Sequence, residues 1–236
     1  QRQMCIRDRH KPLIYVNAVY MHSADHRVHY HHGDLRRTLL AFALRRVRAG
    51  GAAEFSLREA ARSAGVTGGA VYKHFQSKDA LLSAVAAEGF RLFAARMAKA
   101  TIGLKEADRL RATGTTYVAF ASREPYLFRL MFSGVGMCAI SSQASQASPD
   151  EPPGPRSSYE QMREAMAEVA GVAKDNVDPC LLALAWSAAH GAASLICDGV
   201  WLRNDPRAKA AIDKVVQVAL DSREQNLAKG KKGNHK

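Results

Sequence analysis

The sequence of 236 residues contains only four cysteines, Cys5, Cys138, Cys180 and Cys197, and no two of them form a C-x-x-C pair. It therefore offers neither a disulfide framework nor a thiolate zinc site. It also has no uninterrupted run of eighteen apolar residues and no alternation of apolar and polar residues, the patterns of membrane spans and strands. We expect an all-α protein of the reduced cytoplasm, without a membrane span, a metal or a cofactor.

Acidic residues are scarce in one part of the chain. Residues 26–100 hold 13 Lys and Arg against 5 Asp and Glu, a net charge of +8. Residues 101–224 hold 13 against 15, a net charge of −2. This asymmetry predicts a polyanionic partner that binds at one end of the protein only.

Residues 55–82, FSLREAARSAGVTGGAVYKHFQSKDALL, have the pattern of two short helices joined by a tight turn. Ser56 and Glu59 are spaced as a capping box that starts the first helix, and Gly65 ends it. Thr67 can cap a second helix from Gly68 to about His74. In such a helix-turn-helix unit the second helix enters the major groove of DNA, so the pattern predicts a DNA-binding domain.

The second helix has side chains suited to that task. Gly68 and Gly69 let the backbone approach the duplex closely, and the residues after them offer hydrogen-bond donors to phosphates and base edges. Lys78 follows at the start of the next helix, where the helix dipole also favours phosphate. The residues expected to contact DNA are Arg36, Ser56, Thr67, Gly68, Gly69, Tyr72, Lys73, His74 and Lys78.

The string S-L-R-E-A-A-R-x-A-G-V-T-x-G-A-V-Y-K-H-F-x-S-K-x-A-L-L resembles the TetR/AcrR-type transcriptional regulators almost position by position, over about residues 30–95. The resemblance implies a three-helix N-terminal DNA-binding domain followed by a helical-bundle domain for ligand binding and dimerisation. The alternative is a generic helix-turn-helix module with a structural role.

The remaining pattern divides the chain into segments. Residues 1–26 form a disordered or non-native arm, because residues 1 to about 20 have no periodicity; Met21 is the expected start if they are non-native. Residues 27–76 form the DNA-binding domain, 77–228 the helical body and 229–236 a basic tail; within the body, 134–157 should be a flexible loop. The predicted helices start at Asp34, cover 77–100 and 106–122, start again at Pro125, and cover 157–172, 179–201 and 206–228.

The segment LALAWSAAHGAASLICDGVW resembles a C-terminal domain found in a subset of the family and named for a tryptophan, a histidine and a glycine, here Trp186, His190 and Gly191. Its alanines allow another helix to approach closely. We expect the last two helices to form a homodimer interface, and arginine at Ala193 or Val215 to disrupt it.

Aromatic and methionine residues are dense enough in the body to line a ligand pocket, although any helical core uses the same residues. The candidate pocket residues are Tyr117, Phe120, Tyr126, Phe128, Met131, Met162, Trp186 and His190.

These patterns favour a homodimeric regulator, most often a repressor in this family, that leaves a pseudo-palindromic DNA operator when a small-molecule effector binds. One alternative is a DNA-binding dimer that responds to no ligand. The other is an enzyme built on His190, Cys197 and Asp198, but Asp198 is two helical turns from His190 and no catalytic motif accompanies them. We expect no catalytic residues.

Overall fold

The structure, a computed structural model, describes residues 32–54, 56–137 and 157–233. The predicted arm at 1–26 and most of the predicted loop lie outside these residues. The described chain is helical, and its α-helices are α1 His32–Gly50, α2 Leu57–Ser63, α3 Gly68–Tyr72, α4 Lys78–Ala100, α5 Glu106–Arg123, α6 Pro125–Met131, α7 Ser158–Ala170, α8 Pro179–Cys197 and α9 Pro206–Gly233. Short 3-10 turns occur at Ala52–Glu54 and Lys174–Asn176. The predicted all-α fold is confirmed.

The first helix begins at His32, so Asp34 lies inside it and is not the cap that the sequence predicted. Its apolar side chains recur every three to four residues and form one inward stripe. Leu39, Ala43 and Val47 are fully buried, whereas Phe42, also expected on this stripe, is only half-buried.

Helices α2 and α3 are joined by a turn at Gly65. Gly65 has φ +67°, a left-handed conformation that costs a glycine little and a side chain much. The backbone N–H of Val66 donates to the carbonyl of Ala61 at 3.0 Å and closes the end of α2. The predicted stop at Gly65 is therefore correct.

The body consists of α4 to α9. Helix α4 starts where Ser77 caps it, with the Ala80 N–H donating to the Ser77 hydroxyl at 3.1 Å. Helix α6 starts with Pro125 and helix α8 with Pro179, both at the first helical turn, where the missing N–H costs no hydrogen bond. Helix α5 lies in the middle of the body and packs on α4, α7, α8 and α9.

Three predicted boundaries in the body are wrong. Residues 134–137, expected to begin a flexible loop, are helical. Helix α8 ends at Cys197 and not at Trp201, because Gly199 has φ +73° and turns the chain. Helix α9 continues to Gly233, through residues that the sequence assigned to a basic tail.

Two main groups of apolar side chains hold the fold together. One runs without interruption from α1 and α3 into α4, α5 and α6; its fully buried members include Leu39, Val71, Phe93 and Met131. The other joins α5, α7, α8 and α9 around Met166. The helix-turn-helix region therefore shares its core with the first half of the body.

Helix α8 is long and apolar enough, by length and composition, to cross a membrane. The sequence did not indicate this possible span, because Ser187, His190 and Ser194 interrupt the apolar run. In the fold this helix packs on α5, α7 and α9, and about a third of it is buried inside the protein. The buried face of α8 is a core face, and the rest of the helix surface is partly or fully exposed.

Candidate DNA interface and effector region

The helix-turn-helix begins with a capping box. The Glu59 N–H donates to the Ser56 hydroxyl at 3.3 Å, and the Ser56 N–H donates to the Glu59 carboxylate at 2.7 Å. The predicted capping box at Ser56 is therefore present. Thr67 occupies the cap position of α3, but its side chain makes no capping hydrogen bond, so its hydroxyl does not serve as the predicted cap.

Helix α3 is anchored on one side and open on the other. Val71 is fully buried and Phe75, just after the helix, is 3% exposed. Tyr72 is 56% exposed, Lys73 is exposed and His74 is half-buried. The helix ends at Tyr72, two residues before the predicted end, so Lys73 and His74 follow it in a turn. This arrangement presents several donors on one surface of the protein.

Gly68 and Gly69 open α3 and have no steric reason to be glycine within the protein itself. A Cβ atom on Gly68 would meet nothing within 4 Å, and one on Gly69 would meet only the Thr67 hydroxyl at 4.0 Å. Both have an ordinary backbone, since neither appears among the glycines with positive φ. Their lack of a side chain is useful where another molecule approaches the backbone.

Arg36 lies near the base of α3. Its guanidinium sits 5.2 Å from the centre of the Phe75 ring, a cation–π contact, while the side chain stays exposed. Lys78 is half-buried in the first turn of α4. Helix α1 therefore places a cation on Phe75, just after α3, and α4 begins with another.

In the body, five aromatic rings form a group that we call the aromatic cluster: Tyr117, Phe128, Phe132, Trp186 and His190. The Tyr117 hydroxyl lies 2.8 Å from Nδ1 of His190, and the His190 ring lies 4.7 Å from that of Phe132. Burial raises the pKa of Tyr117 and lowers the pKa of His190. His190 is thus a half-buried histidine with a hydrogen bond to Tyr117, and its burial disfavours the charged form.

Three charged residues, which we call the latch, connect the helix-turn-helix region to the body. Glu124, between α5 and α6, accepts two hydrogen bonds from Arg48 of α1, one of them from Nε at 2.6 Å. It also accepts one from Nη2 of Arg96 of α4 at 3.2 Å. Burial alone would raise the pKa of Glu124, but the two arginines hold it below its ordinary value. Sequence reasoning missed the latch, because residues up to 76 positions apart carry no local signal.

Family models match two parts of the chain. The model of the bacterial regulatory proteins of the tetR family matches residues 39–85, which contain the helix-turn-helix. The model of the tetracyclin repressor-like C-terminal domain matches residues 110–219, from α5 into α9. The chain belongs to the TetR family. It is a transcriptional regulator with a DNA-binding helix-turn-helix.

Solved structures agree with this fold. A protein of unknown function from Rhodococcus sp. RHA1 is 29% identical, with a TM-score of 0.51 over 84% of this chain and 98% of that chain. A tetR-family transcriptional regulator from Streptomyces coelicolor is 18% identical, with a TM-score of 0.53 over 79% of both chains. No curated protein sequence matches the chain.

The structure separates the candidate pocket residues of this TetR-family regulator. Tyr117, Phe128, Trp186 and His190 meet in the aromatic cluster. The other four lie elsewhere. Tyr126 is 40% exposed and packs against Gly51, Met131 is fully buried, Met162 belongs to the core group around Met166, and Phe120 contacts Phe93 and Arg96. That all eight residues line one pocket stays a prediction.

The residues considered for an enzyme also have other partners. His190 bonds to Tyr117, whereas Asp198 accepts a hydrogen bond from Arg129 at 3.0 Å. Burial raises the pKa of the Cys197 thiol, which disfavours the nucleophilic thiolate. Membership of a family of regulators favours a non-enzymatic role, and these contacts agree with it.

Replacing Gly68 with alanine should separate DNA binding from folding. Alanine favours a helix interior over glycine by about 0.5–1 kcal/mol, and its methyl group has room, so the melting temperature should stay equal or rise. If the backbone of α3 contacts DNA, the same methyl group should weaken binding to the promoter by roughly tenfold. Thermal denaturation and fluorescence anisotropy measure the two effects. Equal DNA affinity would show that α3 does not approach the duplex at Gly68.

His190 should make the protein less stable in mild acid. Because burial lowers the pKa of His190, the unfolded chain takes up a proton there at a higher pH than the folded chain does. The free energy of unfolding should therefore fall as the pH drops below about 6.5. Urea denaturation at pH 7.5 and pH 5.5 measures this loss. His190→Gln should lose less stability between the two pH values, and an equal loss in both proteins would assign it to other groups.

Proposed function

We propose that the protein is a homodimeric repressor that binds a pseudo-palindromic operator and leaves it when a small-molecule effector binds. The observation that supports DNA recognition best is α3, with two sterically free glycines followed by the exposed Tyr72 and Lys73. The proposed DNA contacts are the residues that the sequence predicted to contact DNA. Arg36 and Lys78 serve as phosphate contacts, and Thr67, Gly69 and Lys73 read bases.

Homodimerisation is supported by the exposed face of α8. Residues 179–197 include no Lys, Arg, Asp or Glu, although Leu184 is 43% exposed and Ser187 is exposed on the same side. A Cβ on Gly191, one turn beyond Ser187, would meet nothing within 4 Å. A helix face that is exposed but uncharged is typical of a protein interface. We assign the centre of the dimer interface to this face of α8.

The two substitutions that the sequence suggested for testing the dimer, at Ala193 and Val215, fall on the buried sides of their helices. Ala193 is fully buried and Val215 is 7% exposed, because both pack inside the protomer. Helical spacing explains the difference: Ala193 lies about 160° around α8 from Gly191 and about 120° from Ser187, so it faces away from both. The two-helix interface is kept in the proposal, but its residues are the exposed ones.

Two-fold symmetry gives the dimer a defined way to read DNA. Two copies of α3 would contact two half-sites on one face of the duplex, separated by one helical turn or a multiple of it. An effector that binds better to a state with wrongly spaced helices shifts the population toward that state and releases DNA. The apolar core that α1, α4 and α6 share also includes α3, so a shift in the body can be transmitted to α3 through packed side chains.

Replacing Lys78 with alanine tests the DNA interface. Each neutralised phosphate contributes about −0.9 to the slope of log K against log salt concentration. If Lys78 contacts one phosphate, Lys78→Ala should flatten the slope by about one unit and weaken binding to all DNA sequences alike. Fluorescence anisotropy on a promoter fragment at several salt concentrations gives the slope.

Lys209→Ala is the matched control, because it removes an exposed lysine from α9, far along the chain from the helix-turn-helix. It should leave the slope unchanged. An unchanged slope in Lys78→Ala would remove Lys78 from the DNA interface, and an equal change in both variants would point to non-specific attraction.

The ligand-independent dimer is the alternative, and it predicts a different result in one experiment. A true effector raises the melting temperature of the free protein, since it binds the folded state, and it weakens promoter binding at the same concentrations. In a protein without an effector no compound does both.

A further inference from the structure

A cleft of about 420 Å³ lies between α4 and α5, away from the aromatic cluster. Ala100, Ala119 and Phe120 form its apolar floor, and Thr116 adds a hydroxyl group. Three cations surround it: Arg96, Lys99 and Arg123. The aromatic cluster contributes none of its rings to this cleft. A volume of this size is within the range of small-molecule sites.

The charges of the cleft are incompletely neutralised. Lys99 and Arg123 are exposed and form no ion pair with any residue that the structure describes. Arg96 shares Glu124 with Arg48, while its own Nη1 is shielded from solvent and makes no hydrogen bond within the described chain. The carbon of the Arg96 guanidinium stands 5.1 Å from the centre of the Phe120 ring. Positive charge therefore borders an apolar floor, which suits a ligand that carries one negative group on an apolar body.

Arg96 also belongs to the latch. Its Nη2 lies 3.2 Å from the Glu124 carboxylate that binds Arg48 of α1. An anion in the cleft would compete with Glu124 for the Arg96 guanidinium. A change at the cleft thus reaches α1, which packs on α2, through two ion pairs.

We propose that the cleft between α4 and α5 binds an amphipathic organic anion, a carboxylate or sulfonate on an alkyl or aryl body, and that the latch transmits this binding to the helix-turn-helix. Resting on the proposed repressor function, this inference names the chemical class and the site of the effector. The negative group is bound by Arg96, Lys99 and Arg123, and the apolar body packs on Ala100 and Ala119 beside Phe120. As Arg96 turns to the anion, Glu124 keeps only Arg48, and α1 shifts to the state that binds DNA weakly.

Calorimetric titration with octanoate tests the site. Octanoate should bind, whereas 1-octanol, which has the same chain without the charge, and sulfate, which has charge without the chain, should bind at least tenfold more weakly. The double variant Lys99→Gln, Arg123→Gln removes two charge-assisted hydrogen bonds and should weaken octanoate binding by tenfold or more. The double variant Arg203→Gln, Lys214→Gln removes two exposed cations elsewhere and should bind like the wild type. The proposal is overturned if octanoate does not bind, or if octanol or sulfate binds as tightly. It is also overturned if both double variants lose octanoate affinity equally.

Promoter binding with and without octanoate tests the latch. Octanoate should weaken promoter binding by wild-type protein, and Arg48→Gln, compared at octanoate concentrations that saturate each protein, should lose most of this response. A response that persists in Arg48→Gln overturns the role of the latch. Promoter binding without octanoate is measured first. If the protein binds no DNA, this result contradicts only the proposed repressor function. The octanoate titration still decides the cleft in that case.

Discussion

Arginine at Gly191 should convert the dimer into monomers that remain folded. The added side chain has room in the protomer, since a Cβ there meets nothing within 4 Å. In the dimer it would place a charge, and a second one by symmetry, in the centre of an uncharged interface. Each monomer then holds one recognition helix, and the loss of the linked second half-site should weaken promoter binding by roughly 100-fold or more. Sedimentation velocity and fluorescence anisotropy measure both effects.

Ala173→Arg is the control for this experiment, because Ala173 is exposed in the turn after α7 and the variant has the same charge. It should stay dimeric with unchanged promoter affinity. A Gly191→Arg protein that remains dimeric at micromolar concentration, or a monomer with full affinity, would contradict the interface on α8.

Arginine at Ala193, two residues further along the same helix, should instead destroy the fold. Ala193 is fully buried and belongs to the core group that joins α8 to α5 and α6. A guanidinium there would be overpacked and would lack a partner, which costs about 4 kcal/mol or more, a large part of the stability of an ordinary protein. We expect insoluble protein, or a melting temperature about 10 °C lower.

Circular dichroism during heating distinguishes the two arginine variants, since only Ala193→Arg should lose helical signal early. Ala193→Ser, a small change at the same site, should fold. A stable, monomeric Ala193→Arg protein would show that the face of α8 with Ala193 is the dimer surface, and that Ala193 is not part of the protomer core.

The DNA-binding region could be read from sequence because its signals are local. Ser56 and Glu59 are three residues apart, Gly65 needs its own backbone conformation, and Val71 with Phe75 follows helical spacing. Each of these features depends on a few neighbouring residues. The sequence could therefore predict the turn and the inward face, and it missed the start of α1, the end of α3 and the lack of a capping hydrogen bond from Thr67.

The face of α8 could not be read in the same way. Alanine and glycine occur on all sides of this helix, so its composition does not distinguish a core face from an interface. Only the positions of α5, α7 and α9 show that Ala189 and Ala193 point inward. The latch likewise joins Arg48 of α1 and Arg96 of α4 to Glu124, and the cleft joins side chains of α4 and α5. No periodicity connects these segments.

The core shared by the helix-turn-helix and the body limits how this regulator can be rebuilt. Leu81 and Val85 of α4 belong to the same apolar group as Leu39 and Val71, so α4 is structural support for the DNA-binding region as much as a connection to the body. A chimera that joined this helix-turn-helix to a foreign sensor after Phe75 would expose that group. A functional graft needs the first turns of α4, together with side chains on the new sensor that replace Leu127 and Met131 of α6.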